Sequence, residues 1–284
     1  MSHVRVIAEF TLRESLRRRV FVVVALLTVA FLGLYALGTW RLFAEADLDE
    51  LDSAGVELGT VAGATVLGLA MFGTLFLGTV LAVFFTLGAV RGDAERGLLQ
   101  PLLVRPVTRR TLLLGRYVAA AAVCAGYVVA VFLAAAVITW IFGDWWPDRV
   151  LLPALGLAIA VAILAALSLA GSVFLSATAN GIAVFMVFGA GLVAGLLGQI
   201  GEGLSSETLQ DVAEVASWLL PFEGLYQAAL AGLTSDTVGY TRLAIDLGPF
   251  GGAQSAGVGL WLWAVVYLGL VGAWALQGFA RRDL

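Results

Sequence analysis

RGDAERGLLQPLLVRPVTRRTLLLGR, residues 91–116, is the only long charged interruption in the middle of an otherwise apolar chain, and it carries six of the sixteen arginines. Before it, Leu58 to Val90 gives 33 residues without a charge, and after it Tyr117 to Gly143 is uncharged as well. At roughly 1.5 Å rise per residue, the first of these runs would make a helix about 50 Å long. That exceeds the ~30 Å of a bilayer's hydrocarbon core, so the run must tilt or project beyond the membrane. The order of segments therefore reads as span, charged handle, span.

Composition agrees. With 61% hydrophobic and 13% charged residues and a mean hydropathy of +0.99, the 284-residue chain lies far outside the range of soluble globular domains. It has no lysine, which removes lysine-bearing phosphate loops, Schiff-base chemistry and serine–lysine dyads. Its one histidine, His3, is too little for a histidine-based triad or a histidine-rich metal site, so no catalytic residue, metal ligand or cofactor-binding residue is expected. The single cysteine, Cys124, allows no disulfide within the chain.

Working outward from the handle, an all-α integral membrane protein with six transmembrane helices is expected, with spans at 20–40, 62–90, 117–142, 151–176, 182–200 and 258–280. Residues 1–19 place Arg5, Glu9, Arg13 and Arg17 four apart, beside an apolar stripe of Ala8, Leu12, Leu16 and Val20. An amphipathic interfacial helix and a plain basic flank both fit this pattern. Glycines at 59, 63, 68, 73 and 78 suggest a packing seam along the second span, with Gly59 and Gly63 as a small-xxx-small pair. The uncharged run from Val150 to Gly201 is long enough for two spans, and its break is expected at Ser176 to Gly181, around Asn180-Gly181. Between Gly143 and Val150, Trp145 and Trp146 mark an aromatic belt. Residues 202–257 are too polar to span. They read as two amphipathic pieces broken at Pro221 and lying on the outer face of the membrane, as a lid or as a docking site for an outer-face partner protein.

The arginines test this layout. With both termini, the handle (91–116) and the 176–181 turn on the cytoplasmic side, thirteen arginines lie inside and three (Arg41, Arg149 and Arg242) outside. That asymmetry is the positive-inside pattern of a multi-pass protein in a prokaryotic plasma membrane.

None of the expected spans contains an acid, arginine or histidine, which argues against both an intramembrane enzyme and an ion-coupled transporter. Thr65, Thr74, Thr79, Thr86, Ser168 and Ser172 are the main polar side chains there, and such hydroxyls mostly bond back to their own helix. The energy for any transport is therefore expected from a separate protein.

The handle suggests which one. Its order is acid (Asp93, Glu95), Arg96-Gly97, a leucine cluster (Leu98, Leu99, Leu102, Leu103), Arg105-Pro106-Val107-Thr108-Arg109-Arg110, then Leu112 to Leu114, Gly115 and Arg116. This resembles the signature of the type-2 ABC transporter permeases: an acid, Gly-Thr-Leu, a leucine run, Arg-Pro-hydroxyl-Arg and Leu-Leu-Gly-Lys. The resemblance extends to the layout of the whole chain, and within the family the layout is most similar to the permease of the nitrous-oxide-reductase maturation transporter. Leu98 stands where threonine is common, Arg116 where lysine is usual, and Gln100-Pro101 interrupts the leucine run.

The resemblance implies that 91–116 forms a cytoplasmic coupling helix that docks on an ABC ATPase subunit, with Glu95 and Gly97 at its start and Arg105, Pro106, Thr108 and Arg109 in the turn to the third span. It implies that ATP and Mg²⁺ are handled by that partner, and that two copies of the chain pair as a homodimer. Spans two and five then line the path, with Phe72, Thr79, Phe185 and Phe188 as candidate lining and Gly181, Gly189, Gly191, Gly195 and Gly198 packing at the interface. Membrane lipid is a further expected partner, and nucleic acid is not. The function implied is the permease subunit of an ATP-driven exporter, and the chain by itself is then not an enzyme. A non-transporting subunit that transmits mechanical work to an outer-face partner is the alternative.

Overall fold

An apolar run in a bilayer must satisfy its own backbone hydrogen bonds, and a helix does so within one segment. The computed structural model describes residues 19–45, 57–86, 109–246 and 257–280, and among them there is no strand. Six helices among the described residues are long and apolar enough to cross a membrane. These are α1 (Arg19–Glu45), α2 (Leu58–Thr86), α3 (Arg109–Gly143), α4 (Leu151–Phe174), α5 (Ala177–Gly203) and α9 (Val258–Ala280). Three shorter helices fall between α5 and α9: α6 (Glu207–Leu219), α7 (Pro221–Ala231) and α8 (Gly239–Asp246), with a 3-10 turn at Gly232–Thr234. The chain is an all-α integral membrane protein.

Side-chain contacts fix which helix ends meet. At the handle end, Phe21 of α1 packs edge-on against Phe85 of α2, with ring centroids 6.1 Å apart. There Leu113, in the first turns of α3, is buried with Leu169 and Val173 of α4 and with Val271, Ala275 and Phe279 of α9. At the far end, the ring of Phe43 covers Gly143, and the indole of Trp145 covers Gly63.

The core is built on α2 and α4, whose Leu67, Met71, Leu75, Leu157, Ile163 and Leu164 are fully buried, together with Phe132 of α3. Lipid is as apolar as leucine, so close packing and interhelical hydrogen bonds must hold such a bundle. The glycines of α2 are sockets for this purpose. Gly63 receives Trp145, Gly73 receives Phe31 of α1, and Gly78 receives Val128 of α3 and Val161 of α4. Gly59 faces open space, so the expected Gly59–Gly63 pair is not one seam. Trp145 is accordingly core, while Trp146 remains exposed. Hydroxyl pairs tie α1 to α3, with Thr28 Oγ1 2.6 Å from Tyr127 Oη and Tyr35 Oη bonded to Thr139.

Helix ends extend past several of the expected span bounds. The third long helix begins at Arg109, ahead of 117, because Leu113 finds buried partners there and Gly115 alone does not stop a helix. The second begins at Leu58 rather than 62, where Thr60 bonds Glu57 (3.0 Å) and the Glu57 amide donates to Thr241 of α8 (2.9 Å). The break between the fourth and fifth spans is Leu175-Ser176, and Asn180-Gly181 lies inside α5. Ser176 takes the cap position, its Oγ 3.5 Å from the Ala179 amide. Asn180 instead donates to the Ser168 carbonyl at 2.8 Å, so it joins α5 to α4 rather than turning the chain. The interfacial helix expected at 1–19 falls almost wholly outside the described residues.

The two amphipathic pieces expected within 202–257 are α6 and α7, and both pack on the bundle: α6 folds back along α5, and α7 then returns along α4. Gly201 faces Leu209 and Gly198 faces Ala213, which makes α5 and α6 an antiparallel pair. The chain reverses at Leu220-Pro221, where proline occupies the first helical position of α7. Then α7 runs back with Ala229 and the Leu225 carbonyl against Gly156, and Gly232 against Leu152 and Pro153. Phe222, Leu225 and Ala229 are fully buried. From Gly232 to Glu223 the helical rise is about 14 Å, so the tip of this hairpin reaches well below the far end of α4.

Candidate functional site

Of the handle, Asp93, Glu95, Arg96, Gly97, Leu98, Leu99, Leu102, Leu103, Arg105 and Pro106 lie outside the described residues. Arg109 is the first residue of α3, and from it the helix runs without interruption for 35 residues to Gly143. Any force applied at the handle thus enters a continuous helix. Leu113, one turn in, contacts both α4 and α9 through the small handle-end cluster.

The handle ends of α2, α4 and α5 share a polar chain. Thr86 bonds back to the Ala82 carbonyl (2.8 Å) and lies 2.6 Å from Ser168 Oγ, and Asn180 holds the Ser168 carbonyl. Thr74, Thr79 and Ser172 bond only to carbonyls of their own helices, at 2.7–2.8 Å. These hydroxyls are spent on structure.

Of the candidate path residues, Phe185 and Phe188 of α5 both meet Phe76 of α2, at 6.3 and 6.2 Å between ring centroids. Phe72 lies one turn from Phe76, and both are exposed. Next to Phe185 a shallow groove of about 590 Å³ runs between Phe84 of α2 and Ile182 and Met186 of α5. The structure therefore brings the α2 and α5 phenylalanines into one apolar surface. Phe188 sits at its inner edge, 4% exposed and stacked on Phe222 of α7 at 6.1 Å. Thr79 is set apart from this surface, fully buried with its hydroxyl on the Leu75 carbonyl.

Three of the five α5 glycines expected at the interface with a second copy are filled from within the chain, whereas Gly189 meets nothing within 4 Å and Gly181 lines the α2–α5 groove. Gly191 is filled by the Phe222 ring, Gly198 contacts Ala213, and a Cβ at Gly195 would collide with the Glu223 carboxylate. These three make the slot for the α6–α7 hairpin within the same chain.

Glu223 is the polar group that the sequence reading missed. It is 5% exposed, accepts a 2.8 Å hydrogen bond from Gln227 Nε2, and Gln199 of α5 lies 3.4 Å beyond. Burial pushes its carboxyl up to about 7, the Gln227 bond pulling the other way. Burial, and then the neighbouring Glu223, also raise the Tyr226 hydroxyl, which has no hydrogen-bond partner among the described residues. The available signal was the Glu223/Gln227 spacing of four on a short segment whose other face, Phe222, Leu225, Tyr226 and Ala229, is wholly suited to a core.

A family model described as ABC-2 family transporter protein matches residues 5–284. A comparison with curated proteins finds no match. Six apolar helices, a basic handle between the second and third, and a match over nearly the whole length agree. The chain belongs to the ABC-2 transporter family, as a membrane-embedded permease subunit that implies an ABC ATPase partner.

Proposed function

We propose that this permease drives export, powered by ATP hydrolysis in a separate ATPase subunit that grips residues 91–116. The observation that carries the reading is the handle's position. Its acid-Gly-Leu…Arg-Pro-x-Thr-Arg order leads directly into α3, whose base packs on α4 and α9. Leucines seated in a groove of the partner, with flanking arginines setting register, would turn closure of the ATPase into movement of α3. The chain has no lysine for a phosphate loop, so ATP and Mg²⁺ belong to the partner, and so does the hydrolysis. The arginine asymmetry supports a cytoplasmic handle and cytoplasmic termini, and the setting proposed is a prokaryotic plasma membrane.

The exposed α2–α5 surface around Phe72, Phe76 and Phe185 is assigned to a second copy of the chain, with the path between the two copies. It is apolar and contains no ionisable residue, which suits an amphiphilic cargo.

Co-purification tests the handle. When residues 93–103 are replaced by a Gly/Ser linker of equal length, the ATPase should no longer co-purify with the permease, while the permease still reaches the membrane. Undiminished co-purification would sink the coupling assignment.

A further inference from the structure

Glu223 does not face a sealed core. It lines a partly open cavity of about 540 Å³ between α5, α6, α7 and the start of α9, shared with Gln199, Gln210, Glu214, Gln227 and Trp218. Its size is in the range of small-molecule sites. Gly257 and Gly259 leave open space on the α9 side of the wall, while Gly195, Gly198 and Gly224 are met by Glu223, Ala213 and Leu260. Among the described residues the two ionisable groups of the lining are both acids, and no arginine or histidine lines it. Gln227 Nε2 donates to one oxygen of the Glu223 carboxylate at 2.8 Å.

One aromatic side chain, Trp218, lines the cavity, and two more back it. Trp218 is about half exposed and meets Trp263 of α9 edge-on at 5.7 Å, and Trp263 in turn meets Tyr267 at 6.2 Å. The Trp263 Nε1–H donates to the Trp218 carbonyl at 2.7 Å, which holds the α6–α9 side of the rim in place. A buried acid with no base among the described residues of the wall, beside the Trp218 indole, offers a negative group next to an apolar face. Such a site favours a cation that is itself largely apolar.

We propose that this cavity is a binding site for a lipophilic monocation, its charge held by Glu223 and its apolar body against Trp218. The cation is either a soluble amphiphile or the ammonium of a lipid headgroup, since both carry the same chemistry. The site lies within one copy of the chain and is separate from the α2–α5 surface. Binding there needs neither ATP nor transport, so its test stands apart from the export assignment.

The experiment uses the full chain in phosphatidylcholine vesicles. Tetraphenylphosphonium and tetraphenylborate, closely matched in size and apolarity and opposite in charge, are titrated against tryptophan fluorescence. The phosphonium should bind with saturation and the borate should not compete. Glu223→Gln keeps the volume and the Gln227 contact of the protonated acid, and it should weaken phosphonium binding roughly tenfold. Glu223→Asp should recover part of that loss. Trp218→Ala, at an exposed position that leaves the buried slot intact, should weaken binding about threefold. Added phosphatidylethanolamine that competes in the wild type but not in Glu223→Gln would assign the site to the lipid ammonium. An absence of competition would assign it to soluble cations, and either result supports a cation site. Equal affinity for the two probes, or affinity unchanged by both Glu223→Gln and Trp218→Ala, would overturn the proposal.

Discussion

Helices α6 and α7 come from one continuous polar stretch and are separated by a single residue, Leu220, yet they end in different surroundings. Among the thirteen residues of α6 none is buried, whereas eight of the eleven in α7 are. Acids are spread along α6, at Glu207, Asp211 and Glu214, while α7 has only Glu223. The contrast shows that amphipathicity sets which face of a helix is apolar but not how deep the helix sits. Depth was decided by the glycines of α4 and α5, which open a slot that fits α7 and its phenylalanine. The acid follows its helix inward because the other ten residues of α7 carry no charge and gain from packing.

The contrast is broken most directly by emptying the slot. Phe222→Ala should destabilise the chain by about 3 kcal/mol, the low end of phenylalanine truncations, because lipid rather than water is the alternative surrounding. The matched change in α6, Val212→Ala at a half-exposed site, should stay within about 0.5 kcal/mol. Unfolding in mixed detergent micelles, followed by circular dichroism, measures both. Equal losses would mean that α7 is no more embedded than α6.

A smaller effect sharpens the electrostatic side. The Glu223 carboxyl is raised from its ordinary 4.5 to about 7, so the folded state holds its proton more tightly than the unfolded chain does. Stability should therefore be highest below about pH 4.5 and fall as pH rises towards 7, by an amount on the order of 2 kcal/mol, then level off. The groups around it are Gln227 and Tyr226 on its own helix, Gln199 on α5 and Glu214 on α6, with no base in the cavity wall. In Glu223→Gln the slope over that window should vanish, and an unchanged slope would assign the titration elsewhere. The smallest effect is at the surface, where Arg149 and Asp236 join the α3–α4 loop to the end of the hairpin across 3.7 Å. Both side chains are well exposed, so Asp236→Asn should change stability by no more than about 0.5 kcal/mol, and less in high salt.

Most of the spans were legible because bilayer thickness demands a fixed length of apolar helix, and charged residues mark where each run ends. The Pro221 break was legible too, since proline cannot continue the preceding helix's hydrogen bonding. Asn180 was misread for a physical reason: the same side chain that favours a turn also serves as a buried hydrogen-bond donor between helices, and only the presence of Ser168 opposite it decides which. Gly191, Gly195 and Gly198 of the fifth span were misassigned in the same way. A glycine records that something comes close, not what it is, and at 191 and 195 the close neighbour is α7 of the same chain.

The amino-acid sequence by itself determined the membrane setting, the number of spans, the handle between the second and third, and the family to which its motif points. These follow from hydropathy, charge and the local order of residues, which need no knowledge of neighbours. Tertiary structure alone decided that α7 enters the bundle, that Phe76, Phe185 and Phe188 share a surface, and that Glu223 lines a cavity. Each of those depends on which helices lie side by side, and that is set by the fit of large side chains into glycine sockets far apart in the chain.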